Sequence, residues 1–111
     1  MSERLPTDLW IKAHSARCSA HGIPFVIVRR GDPHRGVVLV KLHLVDAGFR
    51  VVAQARDLDG RLVWAPALDD RVVPEAEADA YIDRQVSYDP DLWVLEIQLR
   101  EDDGFFSGVV E

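Results

Sequence analysis

The chain has 111 residues, 48% of them hydrophobic and 29% charged, with a formal net charge of −6. That length and balance describe one soluble domain with a single modest core, and they exclude an intrinsically disordered chain. The charge is split. Residues 1–61 hold ten Lys/Arg against six Asp/Glu, a balance of +4, and residues 62–111 hold three against thirteen, a balance of −10. Such asymmetry suggests a charged partner or a self-complementary surface. The acidic total disfavours nucleic acid, whose binding draws most of its affinity from phosphate neutralisation. No apolar run approaches the ~18 residues of a membrane span. The first six residues carry no apolar stretch ahead of a cleavage site, so no signal peptide is expected. A single cysteine, Cys18, excludes an intrachain disulfide and fits a reducing, cytoplasmic setting.

The first predicted element is a helix from Asp8 to about His21, with Thr7 as N-cap and Asp8 favoured by the helix dipole. Gly22, Ile23 and Pro24 form a stop. Gly22 suits the left-handed position after the helix, Ile23 can fold back on the last turn, and Pro24 blocks continuation. Strands follow at Phe25–Val28 and, after a turn-rich loop at 32–36, at Val37–Val45. The second has an apolar face of Val38, Val40, Leu42 and Leu44, with Lys41 and His43 on the other. A two-residue turn at Ala47–Gly48 would return the chain through Phe49–Arg56, placing Leu42 opposite Ala53 and His43 opposite Val52.

Asp59–Gly60 is the clearest hairpin signal. It predicts a strand Arg61–Ala65 with Trp64 opposite Ala55, its indole over Ala53 and Ala55 and buried beneath the helices. Pro66 suits a sheet edge. Pro74 opens a second helix, about Glu75–Ser87, with acidic first turns and an apolar stripe of Ala78, Tyr81, Ile82 and Val86. Asp89–Pro90 ends it. The last strand, Leu92–Leu99, turns Trp93, Leu95, Ile97 and Leu99 one way and Glu96 and Gln98 the other. The expected fold is α+β: a mainly antiparallel sheet of about five strands, order α-β-β-β-β-α-β, with two helices packed on one face. One domain is expected over residues 1–100, with 101–111 a mobile acidic and aromatic tail.

Three blocks carry a family resemblance: Leu5–Ala13 continuing through Cys18, Asp57–Trp64, and Asp79–Ile82 with Asp89–Val94. In combination they resemble a family of small alphaproteobacterial proteins known as domain of unknown function family 1491, over about Arg4–Glu101. The resemblance implies a single-domain bacterial cytoplasmic protein and brings no catalytic residues with it.

Among residues that could carry chemistry, His14, Cys18 and His21 fall within roughly 60° on the first helix. His and Cys at that spacing can converge on zinc, with a fourth ligand such as His43 from elsewhere. Trp10 shares that side, so packing competes with ligation. A small apolar face, Leu9, Ala13, Ala16 and Ala20, is the expected sheet contact. Cys18 as a nucleophile would need His14 or His21 as base and Arg17 as a stabilising charge; a small buried hydrophobe is the alternative. Asp57-x-Asp59-Gly60 resembles part of a calcium loop but lacks its closing bidentate Glu, and a turn explains it. Arg29, Arg30, Arg35, Lys41, Arg50 and Arg56 could form a basic surface, or simply occupy the polar positions of half-exposed strands. The helix-strand order partly resembles a double-stranded-RNA-binding domain, but Glu75, Glu77 and Asp79 would repel phosphate where such a domain needs lysines. No phosphate loop, nucleophile elbow or His-Glu-x-x-His pair occurs. The expectation is a non-catalytic module without a cofactor that binds a protein or itself through a sheet edge or face, with Lys41, His43, Arg50, Gln54 and Arg56 as the candidate surface. The alternative is the zinc site on the first helix. No membrane partner is expected.

Overall fold

The computed structural model describes residues 6–56, 58–59 and 62–100, with the side chains of Arg56 and Leu62 outside the description. The elements run α1 (Thr7–Ala20), β1 (Phe25–Arg29), β2 (Val38–Leu44), β3 (Gly48–Arg56), β4 (Leu62–Pro66), a short 3-10 turn at Leu68–Asp70, α2 (Glu75–Tyr88) and β5 (Trp93–Leu99). This is the α+β order expected from the sequence. The C-terminal segment 101–111 lies outside the described residues, as do Asp57, Gly60 and Arg61 of the expected hairpin turn.

The five strands form one sheet in the order β1-β5-β2-β3-β4. All neighbours are antiparallel except β2 and β5, which run parallel from Val38↔Trp93 to Leu44↔Leu99. The last strand thus slots between the first two, and β1 and β4 are the edges. Pro66 sits at the end of an edge strand, as its missing N–H requires.

Register decides which side chains share a face, because residues directly opposite point the same way. The β2–β3 ladder pairs Leu42 with Arg50, Lys41 with Val51 and Leu44 with Gly48. The connection therefore contains three residues, Val45–Ala47, and the Ala47 N–H donates to the Leu44 carbonyl at 2.9 Å. A two-residue turn at Ala47–Gly48 would have shifted this register and exchanged the faces of β3. In β4, Trp64 stands opposite Gln54 rather than Ala55, and the ladder ends at Arg56↔Leu62. Trp64 is buried, as expected, but on the opposite face from Ala53 and Ala55.

The helices lie on opposite faces of the sheet, not on one. Trp10, Ile11 and Cys18 of α1 pack with Val38, Val40, Leu42, Val52, Trp64, Leu95 and Ile97. Ala78 and Ile82 of α2 pack with Leu39, Val51 and Val94, joined by Phe49, Val73 and Leu92. The central strands β2 and β5 are consequently covered on both sides, which explains their near-continuous burial. The polar positions on β2 had suggested an uncovered face. In fact Lys41 is buried there against acids from α2.

α1 turns its larger side chains inward. Trp10, Ile11, His14 and Cys18 are buried, whereas Leu9, Ala13, Ala16 and Ala20 face outward. The alanine face expected to meet the sheet would have buried far less apolar area than an indole and an isoleucine. The N-cap is Pro6 rather than Thr7. Thr7 instead donates its hydroxyl to the Gly36 carbonyl at 2.9 Å, and the Asp8 N–H donates to the Pro33 carbonyl at 2.9 Å. At the other end Gly22 takes φ +68°. The Gly22 N–H reaches the Ser19 carbonyl at 3.1 Å and the Ile23 N–H reaches that of Cys18 at 2.8 Å. This is the paired C-terminal motif that the Gly22–Ile23–Pro24 run encodes.

Candidate functional site

Among the described residues, three constellations bring polar or exposed residues together, and one of them leaves a surface open. The first is the His/Cys side of α1. His14 and Cys18 face the sheet, while His21 sits at the exposed C-cap. The Trp10 ring lies 4.0 Å from that of His14, centroid to centroid, and 5.5 Å from that of Trp64. Burial, and secondarily the Arg17 charge, pushes the His14 pKa down to about 4, so the imidazole is neutral at pH 7. Burial also raises the Cys18 pKa, against a smaller opposing effect of Arg17. A buried thiol held in its protonated form is a poor nucleophile. Among the described residues no three His, Cys, Asp or Glu side chains gather as a metal-holding group. His14 and Cys18, two of the residues of the alternative zinc reading, are packed against the sheet, and His21 is exposed at the end of the helix.

The second constellation joins β2 to α2. Lys41 Nζ donates to Glu75 Oε2 at 2.8 Å and to Asp79 Oδ1 at 2.7 Å, with Glu96 Oε1 at 3.8 Å; the lysine side chain is 8% exposed. Burial alone would lower the Lys41 pKa. The hydrogen bonds to Asp79 and Glu75, with the charges of Asp79 and Glu96, outweigh it and raise the pKa above the ordinary value. The amine stays protonated, which suits a structural cation rather than a base. It also lies 5.0 Å from the centroid of the Phe49 ring, on which His43 stacks at 4.5 Å.

The five residues expected to form one binding surface are divided by this geometry. Lys41 and His43 lie on the α2 side. Their neighbours Arg50 and Gln54 lie on the α1 side, and the Arg56 side chain is outside the description. Arg50 pairs with Asp70. Gln54 accepts the Val38 N–H through Oε1 at 3.2 Å. These residues hold the sheet rather than present a surface. Two further cations of the expected basic surface are also engaged: Arg29 Nη2 donates to the Pro90 carbonyl at 2.9 Å, and Arg30 lies over the Trp93 ring at 5.9 Å.

The third constellation is the outer edge of β1. Phe25 and Ile27 pack inward on the α1 side. Val26 is 57% exposed and Val28 56%, and neither joins the cluster beneath α2. Among the described residues no strand pairs with the far side of β1, so its outward backbone groups sit beside two β-branched side chains. The pairing with β5 jumps between Ile27↔Leu95 and Arg29↔Val94, a bulge that twists the end of the edge. Sequence reasoning had identified the strand but not its place in the sheet. Its edge position depends on β5, about 70 residues further on, taking the position beside it.

The loop 31–36 closes the far end of this edge. Asp32 Oδ1 accepts the N–H groups of His34 and Arg35 at 2.8 and 2.9 Å, and those bonds hold its carboxyl below the usual range. Its carbonyl accepts Trp93 Nε1–H at 2.7 Å. No helix among the described residues is long and apolar enough to cross a membrane.

Comparison with known proteins places this architecture. The chain is similar to a DUF1491 family protein from Caulobacter crescentus CB15, whose crystal structure matches with a TM-score of 0.83 at 34% identity, over 97% of this chain and 100% of that one. An NMR structure of a DUF1491 family protein from the same organism gives a TM-score of 0.76 at 33% identity, covering 95% and 93% of the two chains. A protein from A. tumefaciens shares the fold at 22% identity, with a TM-score of 0.80 and coverage of 98% and 97%. No curated protein matches the chain. The family model for proteins of unknown function designated DUF1491 matches residues 5–107, and the chain therefore belongs to that family.

Proposed function

We propose that this protein is a non-catalytic cytoplasmic module that associates with a protein, or with a second copy of itself, through the outer edge of β1. The observation that carries the reading is the pair Val26 and Val28, each more than half exposed beside an edge that no strand among the described residues covers. Edge strands of this kind add a further strand by main-chain hydrogen bonding, with alternate side chains supplying specificity. Proteins that avoid such pairing shorten, charge or bulge the edge. Here β1 is short, preceded by Pro24 and bulged near Arg29, yet both valines remain uncovered. The other edge is less suited, since β4 buries Trp64 inward and ends in Pro66. The buried, neutral Cys18 and His14 and the ion-paired Lys41 support a structural rather than chemical use of the polar interior.

Sedimentation velocity of the full chain at low and high salt tests this, with Val28→Lys as the comparison. The substitution is at an exposed site and should leave the melting temperature within a few degrees. Concentration-dependent association that Val28→Lys abolishes is the expected result. A strict monomer that also recovers no lysate protein in a Val28-dependent manner would overturn it.

A further inference from the structure

We propose that Leu68–Val73 is a latch on the edge of β3: a left-handed turn held under strain by the Arg50–Asp70 ion pair, whose release swings the segment off β3 while the rest of the sheet stays folded. The inference is independent of the β1 reading.

The latch is an insertion in the ladder. The Ala67 N–H donates to the Val51 carbonyl at 2.9 Å, and two residues further back along β3 Phe49 exchanges both main-chain hydrogen bonds with Val73, at 2.9 and 2.8 Å. Between those anchors β3 spends one residue, Arg50, and the neighbouring chain spends five, Leu68–Val72. The surplus is folded into a tight turn. The Asp70 N–H donates to the Ala67 carbonyl at 3.0 Å and the Arg71 N–H to that of Leu68 at 3.2 Å. Leu68, Asp69 and Asp70 take φ of +55°, +56° and +58°. Three successive side-chain-bearing residues in this region crowd Cβ against carbonyl oxygen, and Leu tolerates it less well than Asp. Strain of that kind persists where the surroundings over-determine it.

The surroundings do so from both sides of the sheet. The half-buried Leu68 packs with the cluster beneath α2. Asp70 reaches round to Arg50 on the α1 side. The turn thus straddles the edge with one anchor on each face. Gly48, at φ +131°, makes room for the end of the segment, since a Cβ there would stand 2.9 Å from Val72 Cγ1. Val73 is buried, but Asp69, Asp70, Arg71 and Val72 are exposed. A short segment with few apolar anchors opens at lower cost than the core. The Asp70 carboxylate is more than half exposed, so dissolved salt screens the pair that closes the latch. Opening also reaches α2. Arg71 pairs with Glu77 at 3.0 Å, and Val73 leads through Pro74 into Glu75, which holds Lys41. The latch therefore makes exposure of Phe49 and Val73, and the seating of the first turn of α2, sensitive to ionic strength.

Amide hydrogen exchange on the full chain tests this, with Phe49 and Val73 as reporters and Val38–Leu44 as the reference for global opening. In Asp70→Asn the reporters should exchange about tenfold faster with the reference unchanged. Raising salt from about 0.05 M to about 1 M should speed the wild-type reporters about threefold relative to the reference, and those of Asp70→Asn by less than half as much. Asp69→Gly, at an exposed site, removes a Cβ from the left-handed turn and should slow the reporters relative to wild type. Reporters that exchange at the rate of the reference in the wild type and in Asp70→Asn alike would show that the segment opens only with the whole domain, and would remove the latch. So would a salt response of equal size in the wild type and Asp70→Asn, or faster reporter exchange in Asp69→Gly.

Discussion

Replacement of Trp64 by alanine tests the register of the whole β3–β4 side of the sheet. The indole is 7% exposed and faces α1, where its ring lies 5.5 Å from that of Trp10 with the planes 58° apart. Removing a buried Trp side chain costs about 3–5 kcal/mol through lost transfer energy and the cavity left behind. The tilted pair of rings accounts for about 0.5–1.5 kcal/mol of that. At roughly 4–8 °C per kcal/mol for a domain near this size, Trp64→Ala should lower the melting temperature by about 12 °C or more. Urea denaturation followed by far-UV circular dichroism gives the free energy directly, without the fluorescence of the other two tryptophans. Val63→Ala, half-buried and on the opposite side of β4, should cost less than about 1.5 kcal/mol. A double-mutant cycle with Trp10→Ala should show coupling of about 0.5 kcal/mol or more. If Trp64→Ala costs less than about 1.5 kcal/mol and is additive with Trp10→Ala, the placement of Trp64 under α1 is refuted.

Other expectations concern the polar interior and the loop at 31–36. Lys41→Met keeps the aliphatic stem and leaves half-exposed carboxylates to water, so it should cost only about 1–2 kcal/mol in urea denaturation, whereas Lys41→Glu should cost more than about 3. Gly36→Ala should destabilise by more than about 2 kcal/mol in the same assay, because a Cβ there would stand 2.3 Å from the Asp91 carbonyl oxygen. His14 titrates near 4 when folded against 6.5 when unfolded. Between those values the unfolded chain holds the extra proton, so stability should fall as pH drops from 6.5 to 4, by at most about 3 kcal/mol. Denaturation at a series of pH values should show that slope reduced in His14→Gln; an unchanged slope would assign it to other groups.

The elements were legible in the sequence because their signals are local. Gly22–Ile23–Pro24 fixes the end of α1 through its own backbone, and the alternation of Trp93, Leu95, Ile97 and Leu99 reads directly as one face of β5. The placement of the elements was less legible, because it turns on small local differences with distant effects. One residue more in the Leu44–Gly48 connection exchanges the faces of β3. Lys41 appeared to mark a solvated face, since the acids that neutralise it lie 34 and 38 residues away on α2. The His14–Cys18–His21 spacing was visible, but not that Trp10 and Ile11 would draw that side of the helix inward. The candidate edge at Val26 and Val28 was hidden for the same reason: an edge belongs to a sheet order, not to a strand.

The insertion of β5 between β1 and β2 also sets an order of assembly. β2, β3 and β4 form a meander of neighbours in sequence, so their contacts close short loops. β1 has no strand partner among the described residues except β5, and Phe25 meets Ile97 only across 71 intervening residues. Closing such a separation is entropically costly and slow. A chain still emerging from the ribosome therefore carries β1 with both sides unpaired until residue 99 has been made, a period when apolar edges are prone to aggregation. Pulsed exchange during refolding should find Val38–Leu44 amides protected before those of Phe25–Arg29, and simultaneous protection would contradict that order. Nascent-chain quality, rather than the finished protein's stability, is then the property most sensitive to changes in Phe25–Arg29.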